Sequence, residues 1–310
     1  MFKFEVSMIR RAFILLITGA LLCQGAHGQG FLPQVPEIRD LLTGATLTQE
    51  EAVAAPGVLG EWTGTLFGSP QAVTFVRVNP AVYMTDIICA EGEYADSTSA
   101  LCSDYGAAAG INGSYFNMKE LTPVTYVKDN GKIVGSATKK ELFRVNGIFM
   151  SWPNRVAIEA ADTTTFDPKI WEAIASGPIL IDDGTVITYS EGIPEDDGFY
   201  NKRHPRSLIG TDAEGYIWLV VVDGRSAGNA EGMTIAELTE LAGMIGLTDA
   251  LNLDGGGSST LWTQSAGVLN YPCDNGRFDH FGQRIVPNVI AVRKTALMKP
   301  SRADSYPRFP

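Results

Sequence analysis

The sequence predicts an α+β fold: a β-rich mixed or antiparallel sheet built from hairpins, with a few packed helices, in a single domain. Three observations carry that expectation. Runs of β-branched and aromatic residues flank Asn130-Gly131, Asp183-Gly184 and Glu214-Gly215, and Asn-Gly or Asp-Gly between such runs is a strong hairpin signal. From Thr234 a segment carries both start and stop signals of an amphipathic helix. Regular strand–helix–strand alternation, the mark of a doubly wound parallel sheet, is not evident.

Taken along the chain, residues 1–28 read as a secretory signal. Lys3, Arg10 and Arg11 precede the apolar run Ala12 to Cys23, and Ala26-His27-Gly28 offers a small-residue cleavage site. The apolar run is too short for a membrane span, and no later stretch is long enough either, so no transmembrane segment is expected in the mature chain. Cys23 raises lipidation, but Leu22 stands where such a signal wants a small residue. Residues 29–60 carry Ile38, Leu41 and Leu42 at helical spacing and read as a helical extension.

The main domain is expected over 61–296. Strands are predicted at Thr63 to Phe67, Val73 to Val78 and Val82 to Cys89, then in the three hairpins. Tyr216 to Val222 is apolar throughout, which predicts a central strand buried on both faces. Thr234 and Glu237 form a capping box, Leu238, Leu241, Met244 and Ile245 mark one face, and Gly246 closes the helix. Val289 to Val292 is the last strand, and 297–310 is expected to be a loosely ordered tail.

A chain of 310 residues with 45% hydrophobic and 19% charged residues has the composition of a folded globular protein. Its net charge of −11 becomes more negative once the basic leader is removed, which argues against nucleic acid as a partner. An anionic ligand would need a local basic cluster. In an oxidising compartment Cys89 and Cys102 are expected to be bridged, leaving Cys273.

Four polar clusters sit at predicted strand ends: Asn112 to Phe116, Arg203 to Ser207, Asp223 to Arg225, and Asn252 to Thr260. Such ends are where a rigid scaffold presents binding and catalytic groups. The last cluster, Asn252-Leu253-Asp254-Gly255-Gly256-Gly257-Ser258, sets a carboxylate before three glycines inside an apolar stretch. Those glycines can lend backbone amides to an anion, or simply form a tight turn. Arg203 and Arg206 flank His204-Pro205 and could grip one phosphate diester, or stand as solvated arginines. Asp223 and Glu231, each before a glycine, are candidate acids or bases, or ordinary turn residues.

Other chemistries fit poorly. Only His204 and His280 remain outside the leader, too few for a histidine-based zinc site. Nucleophile-elbow, phosphate-loop and dinucleotide fingerprints are missing. No cofactor is expected, although the sequence leaves a divalent metal open.

With these clusters in this order, the chain resembles the phosphodiester glycosidase family over Val73 to Val292. The resemblance implies a catalytic domain that hydrolyses the bond between a sugar anomeric carbon and a phosphate carrying a second group. The matching positions are Asn112, Arg206, Asp223, Asn252, Asp254, Gly255, Gly256, Gly257 and Ser258, while His204-Pro205 departs from the family pattern. The expected roles follow. Asp254 acts at the anomeric centre as base or nucleophile, and Asp223 or Glu231 is the second carboxylate. Arg203 and Arg206 hold phosphate, Asn112 a sugar hydroxyl. The expected partner is a sugar-phosphate small molecule or glycan, met in the periplasm or at the surface of a bacterium. Two competing readings are a hydrolase that cuts the P–O bond and a noncatalytic envelope glycan-binding protein.

Overall fold

The computed structural model describes residues 57–295, apart from residue 91 and the segments 139–142, 162–168 and 190–191. All the described residues belong to one compact unit. The signal segment 1–28, most of the 29–60 extension and the tail lie outside the described residues. Strand structure already occupies Gly57–Gly60, at the end of that extension.

Three antiparallel sheets form the domain. The largest contains β1 (Gly57–Leu66), β2 (Ser69–Val78), β13 (Ile179–Asp182), β14 (Thr185–Val186), β15 (Arg206–Asp212), β16 (Ile217–Val222) and β17 (Leu247–Asn252). Their spatial order is β1-β2-β16-β15-β17-β13-β14. A second sheet joins β8 (Val127–Asp129), β9 (Lys132–Gly135), β10 (Gly147–Trp152), β11 (Arg155–Ala160) and β12 (Glu172–Ser176) in the order β11-β10-β12-β8-β9. The third joins β3 (Tyr83–Cys89), β5 (Ala109–Asn112), β18 (Leu261–Thr263), β19 (Gly267–Val268) and β21 (Asn288–Lys294) in the order β19-β18-β5-β21-β3. Two short ladders complete the strands: β4 (Asp96–Ser97) with β20 (Ile285–Val286), and β6 (Phe116–Asn117) with β7 (Thr122–Pro123).

The hairpins follow from turn chemistry. Asn130 and Gly131 both take positive φ (52° and 75°) between β8 and β9, as do Asp183 and Gly184 (47° and 74°) between β13 and β14. Asn, Asp and Gly tolerate that region, and it matches the twist of paired strands. The same device recurs at Phe67-Gly68 between β1 and β2, with φ of 52° and 73°. There the strand resumes at Ser69, not at Val73 as the β-branched run suggests.

Strand β16 is buried along its whole length. Ile217, Leu219 and Val221 enter a core shared by all three sheets, alongside Ile87, Phe149, Ile174, Ile209 and Ile290. Trp218, Val220 and Val222 face the other way, against Leu238 and Leu241 of a helix. Among the described residues that helix is the second of two α-helices, α1 (Thr98–Asp104) and α2 (Ile235–Ile245). Both bonds of the Thr234/Glu237 capping box are present, and Gly246 ends α2 in the left-handed conformation. No described helix is long and apolar enough to cross a membrane.

The expected Cys89–Cys102 bridge is not formed: both cysteines are buried thiols. Strand alternation is the reason. Ile88 and Ala90 pack in the cluster that holds Cys102, so Cys89 between them points to the opposite face, into the main core.

Candidate active site

In the antiparallel large sheet, the start of β15 lies beside the ends of β16 and β17, with Arg206 opposite Val222 and Leu208 opposite Asn252. The end of β5 at Asn112 comes to the same place from the third sheet. Its side chain joins the segments: Nδ2 donates to the Asp254 carbonyl (2.6 Å), and Oδ1 accepts from Ser207 Oγ (2.7 Å) and the Thr260 amide (3.1 Å). Two backbone amides add to the stitching, Leu253 N–H donating to Ser207 O and Asp254 N–H to Gly113 O. Asn112 is thereby fully buried and its polar atoms are engaged, so holding a sugar hydroxyl is not its task.

The three glycines are required by what presses on them. A Cβ on Gly255 would meet the Pro205 carbonyl at 2.8 Å, and one on Gly256, whose φ is +66°, would meet Arg225 Nη2 at 2.9 Å. One on Gly257 would overlap Asp274 and Arg284. The loop does not offer a bed of bare amides. Gly256 N–H donates to Pro205 O, and Ser258 and Ser259 N–H close a short 3-10 turn onto Gly255 O and Gly256 O. The Gly255 amide serves the Asp254 carboxylate.

Asp254 is half-buried at the mouth of this loop. Burial pushes its carboxyl up to about 6, against the pull of the Ser258 hydroxyl, Arg284, the Gly255 amide and Arg144. Ser258 Oγ meets no partner by strict hydrogen-bond geometry, yet lies near enough to the carboxylate to stabilise its charge.

Four guanidinium groups gather here. Arg144 stacks on the rings of Tyr115 (4.0 Å) and Phe199 (4.8 Å). Arg206, only 3% exposed, donates from Nε to Met233 O and from Nη2 to Phe199 O and Lys202 O. Burial lowers it to about 10, Tyr115 opposes that, and the positive fields of Arg225 and Arg144 add to it. It therefore stays cationic at neutral pH. Arg225 lies on Gly256, and Arg284 is held bidentately by Asp274 (2.7 and 2.8 Å) beside Gly257. Such a constellation can ionise one carboxylate near neutrality while neutralising a polyanion next to it.

The other expected residues stand elsewhere. Arg203 does not share a ligand with Arg206: its fork is taken by Glu237, and it also donates to Glu231 and the Phe67 carbonyl. Glu231 is thus an exposed ion-pair partner, not a second carboxylate beside Asp254. Asp223 is 1% exposed, its Oδ1 accepting from Asn270 Nδ2 (2.8 Å) and the Tyr271 amide (3.0 Å), its Oδ2 without a partner. Burial pushes it up to about 7. Among its perturbing groups the charged side chain is Glu61, not Asp254. Asn252 is buried and donates to Tyr115 Oη, Gly177 O and Leu253 O, so it anchors the loop from beneath.

Sequence reasoning missed Arg144, Arg284 and Asp274, and left Arg225 without a role. Arg225 had a signal, its place at a strand end after Asp223-Gly224; the others stand in no motif and arrive by tertiary folding. Among the described residues no group of three or more His, Cys, Asp or Glu side chains converges as metal ligands.

The antiparallel domain thus sets one carboxylate among several guanidiniums where strand ends from two sheets meet. The chain belongs to the phosphodiester glycosidase family, whose sequence model matches residues 105–293. The family carries phosphodiester glycosidase activity in general. Among solved structures, the catalytic domain of zebrafish N-acetylglucosamine-1-phosphodiester α-N-acetylglucosaminidase, auto-inhibited by its pro-peptide, shares the fold at TM-score 0.57 and 17% identity, over 76% of this chain and 82% of that one. A hypothetical protein from Synechocystis matches at TM-score 0.53 and 17% identity over 76% of this chain, which spans 61% of that protein's length. A candidate exported protein from Burkholderia pseudomallei matches at TM-score 0.53 and 15% identity, over 73% and 74% of the two chains. No curated protein matches the chain.

Proposed function

We propose that this chain hydrolyses the glycosidic bond of a sugar-1-phosphodiester, releasing free sugar and a phosphomonoester. The observation that carries the reading is Asp254, a carboxylate that burial raises to about 6 against the pull of the Ser258 hydroxyl, Arg284, the Gly255 amide and Arg144, with Arg206 and Arg225 close to that group. Cleavage of the anomeric C–O bond passes through an oxocarbenium-like state. Ionised Asp254 meets that state as nucleophile, or as base for the attacking water. The departing phosphate gains charge, and the guanidiniums neutralise it as it forms.

Glycosidases ordinarily use a second carboxyl to protonate the leaving oxygen. A phosphomonoester, with a second pKa of about 6, leaves without that help. One carboxylate among cations therefore suffices, in keeping with the positions of Asp223 and Glu231. The leader-like residues 1–28 and the Burkholderia neighbour support export to a bacterial periplasm or surface, where a sugar-phosphate glycan or small molecule is the partner.

The test is turnover of alkyl esters of hexose-1-phosphates in ¹⁸O water. Label is expected in the sugar hydroxyl, and Asp254→Asn is expected to abolish release while leaving the fold intact. Label in phosphate would overturn the reading in favour of P–O cleavage. Binding without release across a broad panel would favour a glycan-binding protein.

A further inference from the structure

We propose that His204 is a positioning residue that holds Arg225 over the glycine loop in the orientation that takes an anion; this rests on the reading of the site given above. The backbone of both residues is fixed first. His204 exchanges two hydrogen bonds with Met233 (3.2 and 3.0 Å). A Cβ on Gly232 would strike the His204 backbone, and one on Gly224 would meet the Pro205 nitrogen at 2.8 Å. The Asp223-Gly224-Arg225 corner is thus pressed against the His204-Pro205 segment. Arg225 itself takes φ of +60°, a conformation that a non-glycine residue adopts only when its surroundings hold it there.

The imidazole then has one possible neutral form. Nε2 lies 3.0 Å from the Gly198 carbonyl, which can only accept, so Nε2 carries the proton. Nδ1 is left bare and faces Arg225 Nη2 at 3.5 Å, a group that can only donate. Cys273 Sγ stands 4.0 Å from Nη1 on the other edge, and Gly256 lies beneath. The guanidinium is therefore aimed by contacts on three sides, with the imidazole nitrogen accepting from Nη2 and the Cys273 sulfur from Nη1.

Protonation of His204 would reverse that contact. The charged groups that act on the ring are Arg206 from β15, Arg225 from the β16 corner and Lys202 from its own segment, all cationic. With burial they hold its pKa below the ordinary histidine value. As pH falls through that value, Nδ1 becomes a donor facing a donor and the added charge repels Arg225.

The experiment measures sulfate binding by calorimetry, since sulfate keeps its charge between pH 5 and 7.5. An Asp254→Asn background removes that carboxylate's own titration. Asn at 204 can offer its side-chain oxygen where Nδ1 stood; Gln instead restores only the bond to Gly198. With His204 the Kd is expected to rise as pH falls from 7.5 to 5, by up to about tenfold once the ring is protonated, the scale of one lost charge-assisted hydrogen bond. His204→Asn should bind within about twofold of His204 at pH 7.5 and lose that pH dependence, while His204→Gln binds about tenfold more weakly at both pH values. The ¹⁵N spectrum should show the Nε2–H tautomer at pH 7.5. Equal binding by all three, tighter binding at pH 5, or an Nδ1–H tautomer would refute the role of His204 alone. No sulfate binding by any variant would refute the anion site beneath it.

Discussion

Asp223→Asn offers the sharpest test of how the site edge is built. In the fold Asp223 is 1% exposed and its carboxyl is pushed from 3.8 up to about 7, chiefly by burial. A carboxyl whose folded pKa lies above its unfolded one favours the fold while protonated. Its contribution is present in full below about 3.8 and is lost as pH rises through about 7. Each pKa unit corresponds to about 1.4 kcal/mol, so between pH 5 and pH 8 this one group removes about 3 kcal/mol of stability. Asparagine has the same shape and no charge. Its Oδ1 can keep the bonds from Asn270 and Tyr271, while its amide nitrogen inherits the unpartnered Oδ2 position at a roughly constant cost of about 1–3 kcal/mol.

Urea unfolding of both proteins at pH 5, 6, 7 and 8 reads the effect directly, because all other titrating groups cancel in the difference. The variant is expected to gain about 3 kcal/mol on the wild type across that range, with most of the change below pH 7. A difference that stays flat with pH would refute the reasoning. It would mean that Asp223 is ionised throughout and that its Oδ2 meets a cation or donor.

Three further outcomes follow from the same geometry. Activity of the wild type should rise as pH increases through about 6, where Asp254 ionises, and Asp254→Asn should lose at least about a thousandfold in kcat while unfolding cooperatively in urea at pH 5 with a midpoint no lower than the wild type's; steady-state kinetics against pH and equilibrium unfolding check both. Arg203→Ala should leave KM within about twofold and cost about 1 kcal/mol of stability, as a half-exposed ion pair does, whereas Arg206→Lys, which loses the Nε and Nη2 bonds, should raise KM about tenfold or more. Asn112→Ala strands Ser207 Oγ, the Thr260 amide and the Asp254 carbonyl in the interior and should destabilise by about 3–5 kcal/mol in urea unfolding.

What the sequence makes legible is whatever depends on neighbours in the chain. The Asn130-Gly131 and Asp183-Gly184 turns, the Thr234/Glu237 box and the two-sided burial of β16 all rest on local φ/ψ preference or periodicity. The glycine loop is legible as a site, but not the reason for its glycines, because the groups that crowd them come from positions 205, 225, 274 and 284. Arg203 shows the opposite error. It stands three residues from Arg206 and looks like its partner, yet one side chain turns to Glu237 of α2 and the other to the Met233, Phe199 and Lys202 carbonyls. Spacing along a chain says nothing about direction once a proline and a strand start intervene. The Cys89–Cys102 expectation fails likewise: strand alternation, which a residue count does not see, sends the two thiols to different faces.

A chain with net charge −11 repels anions at long range, which makes the local arrangement of cations decisive. At physiological salt the screening length is about 8 Å, so an anion beside Asp254 would feel the nearby guanidiniums and little of the distant surface. The lining explains why arginine fills each of the four positions. A lysine at 206 would be strongly hydrated and easily neutralised by burial, whereas the Arg206 guanidinium, even lowered to about 10, keeps its charge while its donors are spread over three carbonyls. The Asp254 carboxylate in turn is kept ionisable by the Ser258 hydroxyl, Arg284, the Gly255 amide and Arg144 despite its burial. Cations and carboxylate therefore sustain one another's charge in a site where either alone would be driven towards its neutral form, and the proposed cleavage of a phosphodiester would meet a field already set for the charge it creates.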